Sequence, residues 1–277
     1  MKYYALSNRF TVLTHERWIV SKLDDDLDFL FRCVKSIVIH PLDAQRERVK
    51  FDRSKSGYFH AITNTVDRIL AYPGLHQELE NRNLPLETSA QDRAVLSCDH
   101  HALLLASFLR ALGISVRVKT GFAKYLVPNR LVPHWVVEIY DSKSDSWILV
   151  DPERRKKRVP REDFLFAHQA WAFFQKDDRA IPSYSSLAGT QGLKYALFCE
   201  LNCVFKNELL AYEWRVSASG TIKPEIVRLG YDRLDSEQKD DLASIAELLK
   251  EPDRRIRELW TLYVKYRIDL DTSLPIL

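Results

Sequence analysis

Ser97-Cys98-Asp99-His100-His101-Ala102-Leu103-Leu104-Leu105-Ala106-Ser107-Phe108-Leu109-Arg110-Ala111-Leu112-Gly113 is the stretch that decides how this chain folds. Serine is a residue type that caps helix starts, and Gly113 is a natural helix stop. Between them apolar side chains fall on nearly every face, which predicts a buried helix. The next residues alternate, Ile114, Val116 and Val118 against Ser115, Arg117 and Lys119, the pattern of a strand over 114–120 with one wet face. Two more strands are predicted at 134–140 and 146–150, joined by the polar residues 141–145. A buried helix followed by a strand meander is an α+β arrangement rather than a doubly wound one.

Outside this core the chain reads as helical. Leu27, Leu30, Phe31, Val34 and Val38 share one face of a helix over 24–39, which opens on aspartates, where the helix dipole favours negative charge. Pro41 stops it, and a second helix over 58–72 is punctuated by Pro73-Gly74. Residues 81–91 are polar and read as a loop. Helices are expected at 161–174, 193–214, 236–250 and 253–267, with a serine-rich loop over 181–192. We expect one domain over 1–277, with its core at 58–152 and helical extensions at 1–57 and 160–277.

Composition removes several function classes. Of 277 residues 46% are hydrophobic and 29% charged, near the globular average, which excludes a disordered or fibrous chain. The net charge of +3 argues against nucleic-acid binding by bulk charge. Only 8 residues are glycine, about 3% against a usual ~7%, which disfavours an all-β barrel. Neither GxGxxG nor GxxxxGK[ST] occurs, so the usual nucleotide cradles are missing. The N-terminus lacks the apolar stretch of a signal peptide. The most apolar run, 102–109, is far short of the ~20 residues of a membrane span. Four cysteines in a chain this long make no disulfide framework. The expectation is a cytoplasmic protein with reduced thiols and no membrane or nucleic-acid partner.

Cys98 is the candidate nucleophile. A free cysteine is ordinarily a small buried hydrophobe. In the first turn of a helix, however, unsatisfied N–H groups and the dipole favour thiolate. A nucleophile of this kind needs a base held by a third group. If 141–144 form a four-residue loop, Tyr140 pairs with Asp145 and His134 lies directly opposite Asp151, their Cβ atoms roughly 4.5–5.5 Å apart on one face. A slip of one residue would separate them.

Together, Cys98-Asp99-His100-His101-Ala102-Leu103-Leu104-Leu105 through Ile114, then Arg117 and Gly121-Phe122, His134-Trp135-Val136-Val137-Glu138 and Trp147-Ile148-Leu149-Val150-Asp151-Pro152 resemble the core of the transglutaminase-like superfamily. The resemblance covers 98–152. Phe164-Leu165, Trp171, Asn202, Asn207-Glu208-Leu209-Leu210 and Trp214 extend it toward a bacterial subgroup. Asp99 and His100 depart from that subgroup's pattern of a basic or polar residue followed by an acidic one. The resemblance implies a papain-like fold with Cys98 as nucleophile, His134 as general base and acid, and Asp151 orienting the imidazole. Some members of the superfamily form amide bonds in natural-product assembly from carrier-bound acyl thioesters, and others are proteases. It therefore implies acyl transfer through an acyl-Cys98 thioester to an amine; the alternatives are a cysteine peptidase or amidase, and a non-catalytic binding module.

Further candidates surround this core. Gln91 is a candidate oxyanion donor beside the Cys98 backbone N–H. Trp135 and Phe122 are candidate lining residues, and Trp135 and Trp147 also read as packing groups. Arg154, Arg155, Lys156, Lys157 and Arg158 form either a solvated loop or a guide for an acidic donor such as a carrier protein. His100 and His101, with no CxxC or HExxH beside them, read as surface or packing histidines, and Cys199 and Cys203 as core residues. No metal and no cofactor is expected.

Overall fold

The computed structural model describes residues 2–51, 63, 65–176, 189–208 and 225–266. Asp26 opens the first long helix, α1 (Leu27–Ile37), by accepting a hydrogen bond from the Phe29 N–H at 2.9 Å. Its buried face, Leu30, Phe31, Val34 and Ile37, packs on the cysteine helix α2 (Cys98–Ala111). Val38–Ile39 then pairs in parallel with Ala94–Val95, a short ribbon that the sequence does not announce. The Leu96 N–H continues it with a 3.0 Å bond to the Ile39 carbonyl, so the approach to Cys98 is held by backbone hydrogen bonds. The expected helix over 58–72 is observed only as Val66–Leu70; residues 58–62 and 64 lie outside the described residues.

Four antiparallel strands follow: β1 (Val116–Ala123), β2 (Val132–Asp141), β3 (Ser146–Val150) and β4 (Phe164–Phe166), in the order β3-β2-β1-β4. The α2 helix packs against β1 and β2, and Ala102–Leu109 are all essentially inaccessible. This is the α+β, papain-like core that the sequence implies. β4 is a correction, since 161–174 was expected to be helix throughout. Phe164–Phe166 instead pair with Gly121–Ala123, and the helix α3 begins only afterwards (Ala167–Lys176).

The wet face expected on β1 is also corrected, because every residue of the strand is buried. The helix α4 (Gly189–Val204) packs against it, and α5 (Ser236–Leu248) and α6 (Ile256–Tyr266) close over α3 and α4. Lys119 is covered in an ion pair with Glu200. Arg117 bonds Glu138 at 3.0 Å and Asp253 at 3.1 Å, with its guanidinium 3.7 Å from the centre of the Trp147 ring. Alternation marks these positions as polar, but their partners lie up to 136 residues away. The helix expected over 193–214 starts earlier, at Gly189, within the stretch read as a loop; 181–188 and 209–214 lie outside the described residues.

Gly121 sits between His134 on β2 and Phe166 on β4. A Cβ there would stand 2.3 Å from the Leu165 carbonyl oxygen, so the strands can be this close only at a glycine. Gly121→Ala should therefore cost about 1–3 kcal/mol, as overpacking does, read as a lower urea midpoint at unchanged slope. An unmoved midpoint would disprove the close approach.

Candidate active site

Cys98 is the first residue of α2 and is partly exposed, whereas Cys33, Cys199 and Cys203 are buried. Ser97 does not cap the helix with its side chain. Its hydroxyl donates to Asp99 Oδ1 at 2.5 Å, and the same oxygen accepts from the His100 N–H at 3.0 Å and lies 2.8 Å from His100 Nδ1. His101 Nδ1 lies 3.0 Å from the Ser97 carbonyl, and burial holds its pKa well below the ordinary value. Asp99, His100 and His101 thus fix the turn in front of the thiol from the buried side, and both histidines pack.

The hairpin brings the other two groups together in a register different from the expected one. The ladder runs from Asp141↔Ser146 to Val137↔Val150, because 142–145 form the loop and Asp145 takes a left-handed conformation (φ 48). That is a shift of two residues from the Tyr140–Asp145 pairing. An even shift keeps His134 and Asp151 on one face, but diagonal rather than opposite. Asp151 leaves the ladder and closes a tight turn on Lys156, with backbone bonds of 3.0 and 2.9 Å. Its carboxylate reaches back across the diagonal, placing Oδ2 2.9 Å from His134 Nε2.

Asp151 is held from three sides. Tyr125 donates its hydroxyl to Oδ2 at 2.7 Å, and the Arg154 N–H donates to Oδ1 at 2.9 Å. Burial alone would raise this carboxyl, but the His134 imidazolium and these hydrogen bonds bring it down to about 2. Burial would likewise lower His134, yet Asp151 and the hydrogen-bonded Cys98 thiol hold the imidazole well above its ordinary value.

In this register the position opposite His134 falls beyond the ladder, at Glu153. This buried carboxylate places Oε2 3.9 Å from His134 Nδ1, and its other oxygen pairs with Arg154 at 3.2 Å. Donor atoms of Cys98, His134 and Glu153 lie within 4.8 Å of one another. The thiol follows from these neighbours. Burial pushes its pKa up, the His134 contact pulls it back, and Asp99 and Glu153 push it up again. The thiolate-favouring environment expected of a helix start is therefore overridden chiefly by burial, with Asp99 and Glu153 adding to it.

The remaining candidates divide. Gln91 is exposed, and its amide is spent on the backbone of Lys50 and Arg48 at 3.2 and 3.4 Å, which leaves the Cys98 N–H as the oxyanion candidate. Trp135 and Phe122 are buried in the main core with Val137, so both pack. Arg154 is partly buried against Glu153. Arg155, Lys156, Lys157 and Arg158 are exposed, with Lys157 tied to Asp28 at 2.5 Å. Sequence reasoning missed Tyr125 and Glu153. Glu153 was hidden at the head of a basic run, and its place two residues after Asp151, on the same strand parity, was the signal available.

With this geometry in place, the comparison with known families is direct. Residues 46–152 match the family described as the transglutaminase-like superfamily, and this segment carries that superfamily's core. Its members are typically cysteine enzymes, and the match includes Cys98, His134 and Asp151 while ending one residue before Glu153. No curated protein and no solved structure matches the chain. No helix among the described residues is long and apolar enough to cross a membrane.

Because the folded pKa of His134 lies above the ordinary 6.5, its charged form adds stability that is complete below that pH and is lost as pH rises through the raised value. Asp151→Asn removes the main support of that charge and leaves burial to dominate. The His134 midpoint in an imidazole NMR titration should fall, and an unchanged midpoint would show that Asp151 does not hold the proton.

Proposed function

We propose that the protein is a cysteine acyltransferase that forms an amide bond from an acyl thioester and an amine. The observation that supports it most is the 2.9 Å contact between His134 Nε2 and Asp151, with the Cys98 sulfur within 4.8 Å of the same imidazole. One nitrogen is oriented by a carboxylate, and the other is left for the nucleophile's proton.

At rest the pair holds a thiol and an imidazolium. Loss of one proton gives the reactive thiolate–imidazolium pair. The thiolate attacks the donor carbonyl, and the oxyanion faces the Cys98 N–H, one of the helix-start donors that lack an intrahelical acceptor. The donor's carbon–sulfur bond breaks as the leaving thiolate takes the proton of His134, leaving acyl-Cys98 and a neutral imidazole. An amine then attacks acyl-Cys98 and gives its proton to His134; the amide leaves and the thiolate–imidazolium pair returns. Bound amines outcompete water because positioning raises their effective concentration.

The exposed cations Arg155, Lys156 and Arg158, in and just after the turn that Asp151 closes on Lys156, suit an acidic donor such as a carrier protein. Incubation with acyl thioesters should leave one acyl group on Cys98, seen by intact mass and lost in Cys98→Ala, and an added amine should discharge it as an amide. Neutralising Arg155, Lys156 and Arg158 together should slow acylation by a carrier-borne donor at low salt and matter less at high salt. Brisk cleavage of peptides with no thioester adduct would replace this reading with a cysteine peptidase.

A further inference from the structure

We propose that Cys98 Sγ, His134 Nδ1 and Glu153 Oε2 form a three-ligand site for a zinc-like divalent cation that reversibly closes the nucleophile. The proposal needs only these side chains and goes beyond the acyl chemistry. It departs from the sequence expectation of no metal, which weighed His100, His101, Cys199 and Cys203 but not Glu153.

Three observations converge. The first is distance: the three donor atoms lie within 4.8 Å of one another. Around a tetrahedral zinc with bonds of about 2.0–2.3 Å, ligand atoms sit roughly 3.3–3.8 Å apart, so side-chain adjustments of about 1 Å close the site. The second is the donor set. Binding displaces two protons, one from the Cys98 thiol and one from His134 Nδ1, and the resulting thiolate and neutral imidazole, with the carboxylate, supply two negative charges against a dication; sulfur with nitrogen selects zinc over magnesium or calcium.

The third is the support behind the ligands. Asp151 already takes up His134 Nε2 at 2.9 Å, the carboxylate–histidine arrangement that fixes the tautomer and presents Nδ1 to a metal. Arg154 pairs with Glu153 Oε1 at 3.2 Å and leaves Oε2 turned toward His134. Cys98 is partly exposed, which gives a cation a way in. The positive charge of Arg154 sets the affinity below that of a closed four-ligand site. Since the cation would occupy both the sulfur and Nδ1, it would silence the nucleophile rather than assist it.

The test uses the full chain, reduced with a non-chelating phosphine. Zinc chloride titrated against iodoacetamide labelling of Cys98 should protect the thiol at micromolar levels, and a chelator should restore labelling. Cobalt(II) should give a thiolate-to-metal charge-transfer band that is lost in Cys98→Ala. In Glu153→Gln the zinc needed for half-protection, taken against that variant's own metal-free rate, should rise at least about tenfold. Magnesium and calcium should not protect. If Glu153→Gln fails to fold, Glu153→Asp should show a smaller shift in the same direction. No protection up to millimolar zinc, equal protection in the Glu153 variants, or a cobalt band that survives in Cys98→Ala would each overturn the proposal. Its failure is separable from that of the acyltransferase reading, because acyl adducts on Cys98 are measured without metal.

Discussion

The structure around the site depends on one contact, the hydrogen bond from His134 Nε2 to Asp151 Oδ2. Both groups are buried, and a buried charge is tolerable only when it is paired and hydrogen-bonded. Everything nearby serves that requirement. Tyr125 and the Arg154 N–H take up the rest of the carboxylate, the 151–156 turn fixes its direction, and the thiol bonds to the imidazole. Gly121 lets β4 come close beside the histidine.

Much of this was legible in the sequence, for reasons that differ between elements. The cysteine helix could be read because its apolar residues leave no polar face and Gly113 ends it, which is local information. The pairing of His134 with Asp151 survived an error in register because the error was even, and strand parity alone decides which side chains share a face. The turn itself was misplaced by one residue on each strand, since nothing in 141–145 distinguishes a loop over 141–144 from one over 142–145.

What could not be read was non-local. Arg117 and Lys119 carry the alternation of a half-exposed strand, and only the later helices convert that wet face into a buried one. Phe164–Phe166 are apolar enough for helix or strand, and the open edge of β1 beside Gly121 decides between them. The thiol's electrostatics were misjudged for the same reason. The helix start was visible, but the burial of the thiol, which outweighs it, was not, and the carboxylate of Glu153 reaches the site only through the 151–156 turn.

The burial of β1 bears on modularity. The segment that matches the superfamily ends at Pro152, yet the fourth strand of its sheet and the partners of two of its cations lie beyond that point. Excised at that boundary, the segment would carry Lys119 without Glu200 and Arg117 without Asp253, on a strand stripped of α4. Removing one partner of a buried ion pair costs about 3–5 kcal/mol. Only Lys119 would be left buried without a counter-charge, since Arg117 keeps Glu138, but that one loss is comparable to the low end of the ~5–15 kcal/mol that keeps a typical domain folded. The recognisable core is therefore not self-contained: β4 completes its sheet and the C-terminal helices cover its buried cation.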